Sequence, residues 1–452
     1  MLSIRPIGTK VVNRATQASV RCLSSKLQVV NYDNSSVSIK FENDKVVQFN
    51  NVFMRDSCQS PRSVDPFSRQ KLFTTAEISK NLKINGIPSI QVDDKTNTEK
   101  LIIEWNQNGK IHKSEYSEQF LTKFAQKENH HTGKFFDKER LLWDESLITK
   151  NLDELWSSYP SYVKSDQEFF KVVQTLNKFG FAFINEMPDV THDVPVSEEN
   201  FSTYPISDLA SKFGYIKKTF YGTLFEVKNE KEDAKNIANT NTFLPLHMDL
   251  LYYESPPGLQ LLHFIQNSTE GGENIFSDSF LAAQHVHMVD PDAYYALTKV
   301  PITYHYDNNN EHYFYKRPLI VEDNELRDSK SPFQSIKEVN YAPPFQGPLE
   351  FGITGNNSSL SDIEQADALA EATLFKDFLR GFAIFEEFIN DPKNHYEIKM
   401  PENSCVIFDN RRVLHSRNGF SDANGGDRWL IGCYVDGDSF RSKLRIGFRS
   451  LK

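Results

Sequence analysis

Past residue 180 the sequence breaks repeatedly into short apolar runs closed by glycine, asparagine, aspartate or proline, and this punctuation restricts the fold more than any other feature. "FAFINEM", "TFYGTLFEV", "LQLLHFI", "NIFSDSF", "ITYHY", "SCVIFDN" and "WLIGCYV" have strand length and are rich in β-branched and aromatic residues. Two stretches carry the helical period instead: "QEFFKVVQTLNKFG", ending at Gly180, and the amphipathic "ATLFKDFLRGFAIFEEFIN". Many strands with few helices favour a closed or sandwiched antiparallel β core with helices at its flanks. The polar "VEDNELRDSKSPFQS" and "GNNSSLSDIEQA" read as surface loops or lids.

A smaller β-rich module occupies residues 28–125. "SSVSIKFENDKVVQFNNVFMRD" and "LIIEWNQNGKIHKSEYS" alternate apolar and polar residues around Asn, Asp and Gly, as hairpins do. Residues 126–150, opening on the polar "KENHHTGK", read as a linker, and residues 151–452 as the larger domain.

The first 26 residues stand apart. They hold Arg5, Lys10, Arg14, Arg21 and Lys26, with no acid before Asp33, and lack the continuous apolar core of a secretory signal. A basic, Ser/Thr-containing, acid-free opening matches a mitochondrial transit peptide over residues 1–25, with the matrix as destination; a disordered basic tail is the alternative. The whole chain carries a net charge of −10, which gives no general reason to expect nucleic acid as a partner. No stretch is long and apolar enough to span a bilayer. Four widely spaced cysteines, Cys22, Cys58, Cys405 and Cys433, make neither a disulfide framework nor a complete zinc motif.

Inside the apolar run "FLPLHMDLLYY" stand His247 and Asp249. In a strand, positions two apart share a face, so both side chains would project together, and a carboxylate buried there needs a counter-charge. Alone, the pair is also what a satisfied core histidine and a capping aspartate would leave. "SCVIFDNRRVLHSRNGF" adds His415 at the end of a strand-like run. Two histidines and a carboxylate form the facial set of non-haem Fe(II) oxygenases, which leaves three positions open for a bidentate keto acid and O₂. Arg428, thirteen residues after His415, opens "RWLIGCYV". An arginine next to a buried strand requires an anion, and its planar fork suits the far carboxylate of a dicarboxylate such as 2-oxoglutarate; a structural ion pair is the alternative.

"LPLHMDLLYYESPPGLQLLHFI", "EGGENIFSDSFLAAQ", "VIFDNRRVLHSR" and "RWLIGCYVDGDSFRSKLR" together resemble the γ-butyrobetaine/trimethyllysine dioxygenase family, within the taurine-dioxygenase-like group. "NVFMRDS" and "NYAPPFQGPLEFGI" are similar to its fungal "altered inheritance of mitochondria" branch. The resemblance runs from about residue 30 to the end. It implies a double-stranded β-helix (jelly-roll) catalytic domain behind a small N-terminal domain. It also implies His247, Asp249 and His415 as Fe(II) ligands, Arg428 on 2-oxoglutarate, ascorbate as reductant, O₂ as co-substrate, and a homodimer.

The resemblance also sets departures. Met248 stands between the ligands where threonine is commoner. Family members often hold structural zinc in the N-terminal domain with three cysteines and a histidine; here Cys58 is kept, Ser60 and Ser63 replace the other two, and His112 is the candidate histidine, so zinc is not expected. The family's aromatic cage for a trimethylammonium group maps onto Tyr221 and Phe225, with Tyr434 as a further wall, while Asn239 stands where the butyrobetaine enzymes carry tyrosine. The implied substrate is a small molecule of quaternary-amine type, γ-butyrobetaine or trimethyllysine, in carnitine synthesis. A mitochondrial structural or interaction protein that retains the fold without turnover is the alternative. A zinc hydrolase on the same ligands would leave Arg428 without a task.

Overall fold

The structure, a computed structural model, describes residues 26–93, 96–125, 139–190, 194–228, 240–308, 310–323, 335–351, 362–421 and 423–450. The basic stretch 1–25, "KENHHTGK", Asn239 and most of the two polar loops lie outside the described residues. The chain divides into two compact units, Met1–His130 and His131–Lys452.

The first unit contains two antiparallel sheets. Leu27–Tyr32, Ser36–Phe41 and Val46–Asn50 form one, and the hairpin Thr98–Gln107 with Lys110–Ser117 carries the other. Leu27, Val37, Ile39, Leu101 and Trp105 are buried in a shared core. "NVFMRD", read as part of a hairpin, is instead a helical turn, Asn51–Asp56, because the Asn50 side chain accepts hydrogen bonds from the amides of Val52 and Phe53. Cys58, Ser60 and Ser63 converge on His112: Cys58 Sγ lies 3.2 Å from its Nε2, and the two hydroxyls lie 3.3 Å from it. This donor set does not fit structural zinc. Two of the four groups are neutral hydroxyls, and Arg55 Nη1 donates to Ser63 Oγ at 3.3 Å, placing a cation where an anionic ligand would be wanted.

In the second unit ten strands make two sheets. In chain order they are β1 (Trp156–Ser158), β2 (Phe181–Asn185), β3 (Phe225–Lys228), β4 (Leu244–His247), β5 (Leu259–Asn267), β6 (Asn274–Asp278), β7 (Tyr396–Ile398), β8 (Ser404–Asp409), β9 (Val413–Arg417) and β10 (Arg428–Val435). The larger sheet runs β3-β10-β5-β8-β2-β1 and the smaller β4-β9-β6-β7. All the pairings are antiparallel except β1 with β2. Their inner faces meet through aromatic rings, Phe181 stacked on Phe276 at 5.5 Å and Phe276 edge-on to Phe408 at 6.0 Å.

Alternation along β10 explains the architecture. Trp429, Ile431, Cys433 and Val435 point outward into a core formed with the helices Asp166–Phe179, Pro205–Phe213 and Gly437–Ser450. Arg428, Leu430 and Tyr434 face the opposite sheet. Helices cover the outer face, so both faces of the strand are buried and it reads as an unbroken apolar run. On the other side, Leu246, Met248, Ile275 and Leu414 pack with the helices Ser279–Val289 and Asp362–Asn390.

The helix expected to end at Gly180 does so, with that residue at φ +86°. Two readings need correction. Only Phe225–Lys228 of "TFYGTLFEV" is a strand; Thr219 and Gly222 exchange backbone hydrogen bonds in a tight turn, with Gly222 at φ +107°. Residues 139–150, read as the end of a linker, pack into the second unit. Trp143 is fully buried, its Nε1 donates to the carbonyl of Phe179 at 2.6 Å, and Asp144 caps the helix Glu145–Thr149.

A buried ion pair ties that segment to both sheets. Arg412 Nη2 donates to Asp278 Oδ2 at 2.7 Å, and further guanidinium bonds go to the carbonyls of Leu141 and Lys178. Removing one partner strands the other charge out of water, so Arg412→Met is expected to cost about 3–5 kcal/mol in urea denaturation. A loss below about 1 kcal/mol would mean that the pair is solvated or replaceable.

Candidate metal centre and anion pocket

The pairing of β4 with β9 sets His247 directly opposite His415, with ring centroids 4.1 Å apart. Nδ1 of His247 lies 2.8 Å from the carbonyl of Pro245. Only a donor can face a carbonyl at that distance, which assigns a proton to Nδ1 and turns Nε2 inward. That Nε2 is 3.3 Å from Asp249 Oδ1.

Asp249 arrives by a different route from the one its spacing predicts. The strand ends at His247, and the chain then bends. Met248 donates its amide to the carbonyl of Tyr341 at 2.8 Å and buries its side chain in the outer core, away from the cavity. The Asp249 amide donates to Asn410 Oδ1 at 2.8 Å, and Asn410 Nδ2 donates back to the Asp249 carbonyl at 2.9 Å. Leu250 then takes φ +57°, a left-handed conformation that a leucine adopts only when its surroundings impose it. The shared face is thus built by a bend clamped by Asn410, not by strand alternation.

One potential ligand atom from each of His247, Asp249 and His415 lies within 4.8 Å of the others. Burial raises the Asp249 carboxyl, but the contacts with His247, His415 and the Tyr434 hydroxyl outweigh it and hold the group below the usual carboxylate range. Burial, with His247 beside it, pushes His415 down to about 3, so this imidazole is neutral, and its Nδ1 has no hydrogen-bond partner among the described residues. The Asp249 carboxylate, the neutral His415 imidazole and Nε2 of His247 therefore converge on one point of the cavity wall. That donor set fits a divalent cation.

Arg428 opens the inner face of β10 and is 7% exposed. Its Nε has no hydrogen-bond partner, and no carboxylate pairs with it among the described residues. Burial, reinforced by the like charge of Arg417, pulls its pKa down to about 9. Guanidinium groups keep their proton in proteins, so the unfavourable energy is one that a bound anion would remove. Arg417, which the sequence reading missed, is buried two residues after His415 on the same strand. Its Nη2 donates to the carbonyls of Thr240 and Thr242 at 2.8 and 2.6 Å, and both guanidiniums lie against the Phe420 ring. The period of two from His415 was the signal available for it.

A cavity of about 590 Å³ between the sheets is lined by His247, Asp249, His415, Arg417 and Arg428, and also by Tyr221, Phe225 and Tyr434. Every predicted site residue that the structure describes therefore borders one space; Asn239 lies outside the described residues. Phe225 stacks on Tyr434 at 5.1 Å. It also lies over Gly432, where a Cβ would come within 2.1 Å of the ring, so the glycine makes room for this wall. Phe220, Tyr306 and Glu311 extend the lining. Tyr306 and Glu311 come from the hairpin Pro301–Asn308 with Glu311–Pro318, which is distant in sequence from the metal-binding motifs. Gln260 adds an amide that is 2% exposed, whose Oε1 has no partner among the described residues.

Known proteins agree with this arrangement. The family model described as "Taurine catabolism dioxygenase TauD, TfdA family" matches residues 157–434, and "Gamma-butyrobetaine hydroxylase-like, N-terminal" matches residues 29–122. The chain is 34% identical to "Probable oxidoreductase AIM17" of Saccharomyces cerevisiae, over 92% of this chain and 89% of that one. It is 33% identical to "Dioxygenase str8" of Strobilurus tenacellus, over 87% and 84%, respectively. With "Gamma-butyrobetaine dioxygenase" of a Pseudomonas species it shares 25% identity over 91% and 94%. A match across both units and a cavity built for a cation beside an anion have one reading: the chain belongs to the TauD/TfdA family of dioxygenases and carries a γ-butyrobetaine hydroxylase-like N-terminal region.

Proposed function

We propose that this dioxygenase uses Fe(II) and 2-oxoglutarate to hydroxylate a small substrate of quaternary-amine type, such as γ-butyrobetaine or trimethyllysine, in the mitochondrion. The observation that carries the reading is the single cavity in which His247, Asp249 and His415 stand with the buried Arg428. In this reading the two sheets form a double-stranded β-helix, which supports the metal residues on β4, its following bend and β9. Ferrous iron held there, with 2-oxoglutarate and O₂, supplies the conversion of a C–H bond to an alcohol as the keto acid is decarboxylated to succinate and CO₂.

The chain's own residues do the rest. Asp249 and the two imidazoles offer three donors from one side and leave the opposite side to ligands. Arg428 takes the far carboxylate of the keto acid, and Arg417 adds positive potential at the same end. Tyr221, Phe225 and Tyr434, joined by Phe220 and Tyr306, present aromatic walls to a cationic head group, each ring contributing roughly 0.5–2 kcal/mol. Glu311 adds a carboxylate to the same lining. The acid-free basic opening supports mitochondrial import.

The test is succinate formation by the purified protein with Fe(II), ascorbate and 2-oxoglutarate, with and without γ-butyrobetaine or trimethyllysine. Substrate-stimulated succinate is expected, and Asp249→Ala should abolish it while leaving the circular dichroism spectrum unchanged. Slow succinate that neither compound stimulates would keep the dioxygenase and reject both substrates. No succinate from iron-loaded protein would favour a chain that retains the fold without turnover. Arg428→Ala removes a charge-assisted contact of about 1.5–3 kcal/mol, so the 2-oxoglutarate concentration at half-maximal rate should rise roughly 10- to 100-fold. An unchanged requirement would assign the anchoring of the keto acid to another residue.

A further inference from the structure

Tyr434 stands at the junction of the aromatic wall and the metal centre. Its ring stacks on Phe225 at 5.1 Å, and it is 3% exposed. Its hydroxyl donates to Asp249 Oδ2 at 2.7 Å, while the other carboxylate oxygen, Oδ1, lies 3.3 Å from His247 Nε2. Each oxygen of Asp249 therefore has a separate task. One faces the imidazole and the point where the three donors converge, and the other is held by the phenol. Asn410 fixes the Asp249 backbone from the opposite side, so the rotation of the carboxylate about its last bond is the freedom that remains.

We propose that Tyr434 is a positioning residue for the metal centre: its hydroxyl restricts Asp249 to coordination through one oxygen. The proposal rests on the metal-binding reading above and deepens it. The ring and the hydroxyl divide the work. A phenol committed to Asp249 is not available to the substrate as a donor, so the substrate meets Tyr434 as an aromatic face. The neighbouring strand supports this geometry, since β5 places Gln260 in register with Tyr434. Hydrogen bonds to a ligating carboxylate orient it, and their loss typically weakens metal binding 10- to 100-fold.

The experiment uses the metal-free full chain and Co(II) as the probe, with affinity read by calorimetry and coordination by visible absorption. Wild type is expected to bind one Co(II), and Asp249→Ala to lose most of that affinity. Tyr434→Phe, which keeps the ring and removes the hydroxyl, should bind on the order of 10-fold more weakly with an altered spectrum. Phe225→Leu, which removes the stack and keeps the hydroxyl, should stay within about twofold of wild type. Replacing Tyr434 with 4-aminophenylalanine returns a donor to the same place and should recover the affinity. Tyr434→Phe with wild-type affinity and spectrum would overturn the proposal. So would an equal loss in Phe225→Leu, or no recovery with the amino side chain, because either would trace the effect to packing. If wild type itself binds no Co(II), the metal-centre reading fails and takes this proposal with it; if only the Tyr434 comparison fails, the metal centre stands and Tyr434 is a wall alone.

Discussion

A carboxylate placed between two β-sheets has to be neutralised where it stands, and much of the second unit is arranged around that requirement at Asp249. Two imidazoles and a phenol stand around it while an amide clamps its backbone, and one side is left open to a cation. The strand pairing of His247 with His415 brings the imidazoles together without any side-chain contact being needed to align them. A slip of β4 by one residue in that register would turn His247 toward the outer helices and dismantle the site. The rigid sandwich is thus the precondition for the chemistry.

The cavity is electrically divided. Asp249 marks one part of it and the buried guanidiniums of Arg417 and Arg428 another, with Phe420 beneath both guanidiniums. Neither pole is satisfied by the other, because no ion pair joins Arg428 to a carboxylate among the described residues. Such a separation is costly in a bare protein and becomes favourable when a cation and an anion occupy their ends. A keto acid that chelates a metal while extending a second carboxylate has both properties in one molecule. The aromatic walls lie on the side of Tyr434, away from Arg428 at the other end of the same strand.

The first unit carries a different lesson. Cys58, Ser60 and Ser63 converge on His112, and two of the four groups are hydroxyls. Hydrogen bonds among them, with Arg55 joining through Ser63, hold the loop to the hairpin. Convergence alone therefore does not make a metal site, and residue identity decides what the geometry binds.

Much of the site was legible in the sequence because its parts are local. The histidine and aspartate two residues apart, the later histidine at a strand end and the arginine at the start of the next strand are all short-range patterns, and each lies on the common cavity. Arg417 was also within reach of the alternation from His415. Other features depended on chain segments that only folding brings together. Asp249 reaches its partners through a bend held by Asn410, 161 residues away, and no local period announces that. Tyr306 and Glu311 line the cavity from a separate hairpin, and Trp143 turns an apparent linker into core. The sequence by itself determined that short strand-length runs dominate past residue 180 and which residue types could hold a metal and an anion, because run length and donor chemistry are properties of short segments. Only the tertiary structure decided how those groups are oriented, that Tyr434 is committed to Asp249 and that Arg428 meets no carboxylate among the described residues, because orientation and neutralisation depend on contacts between residues far apart in the chain.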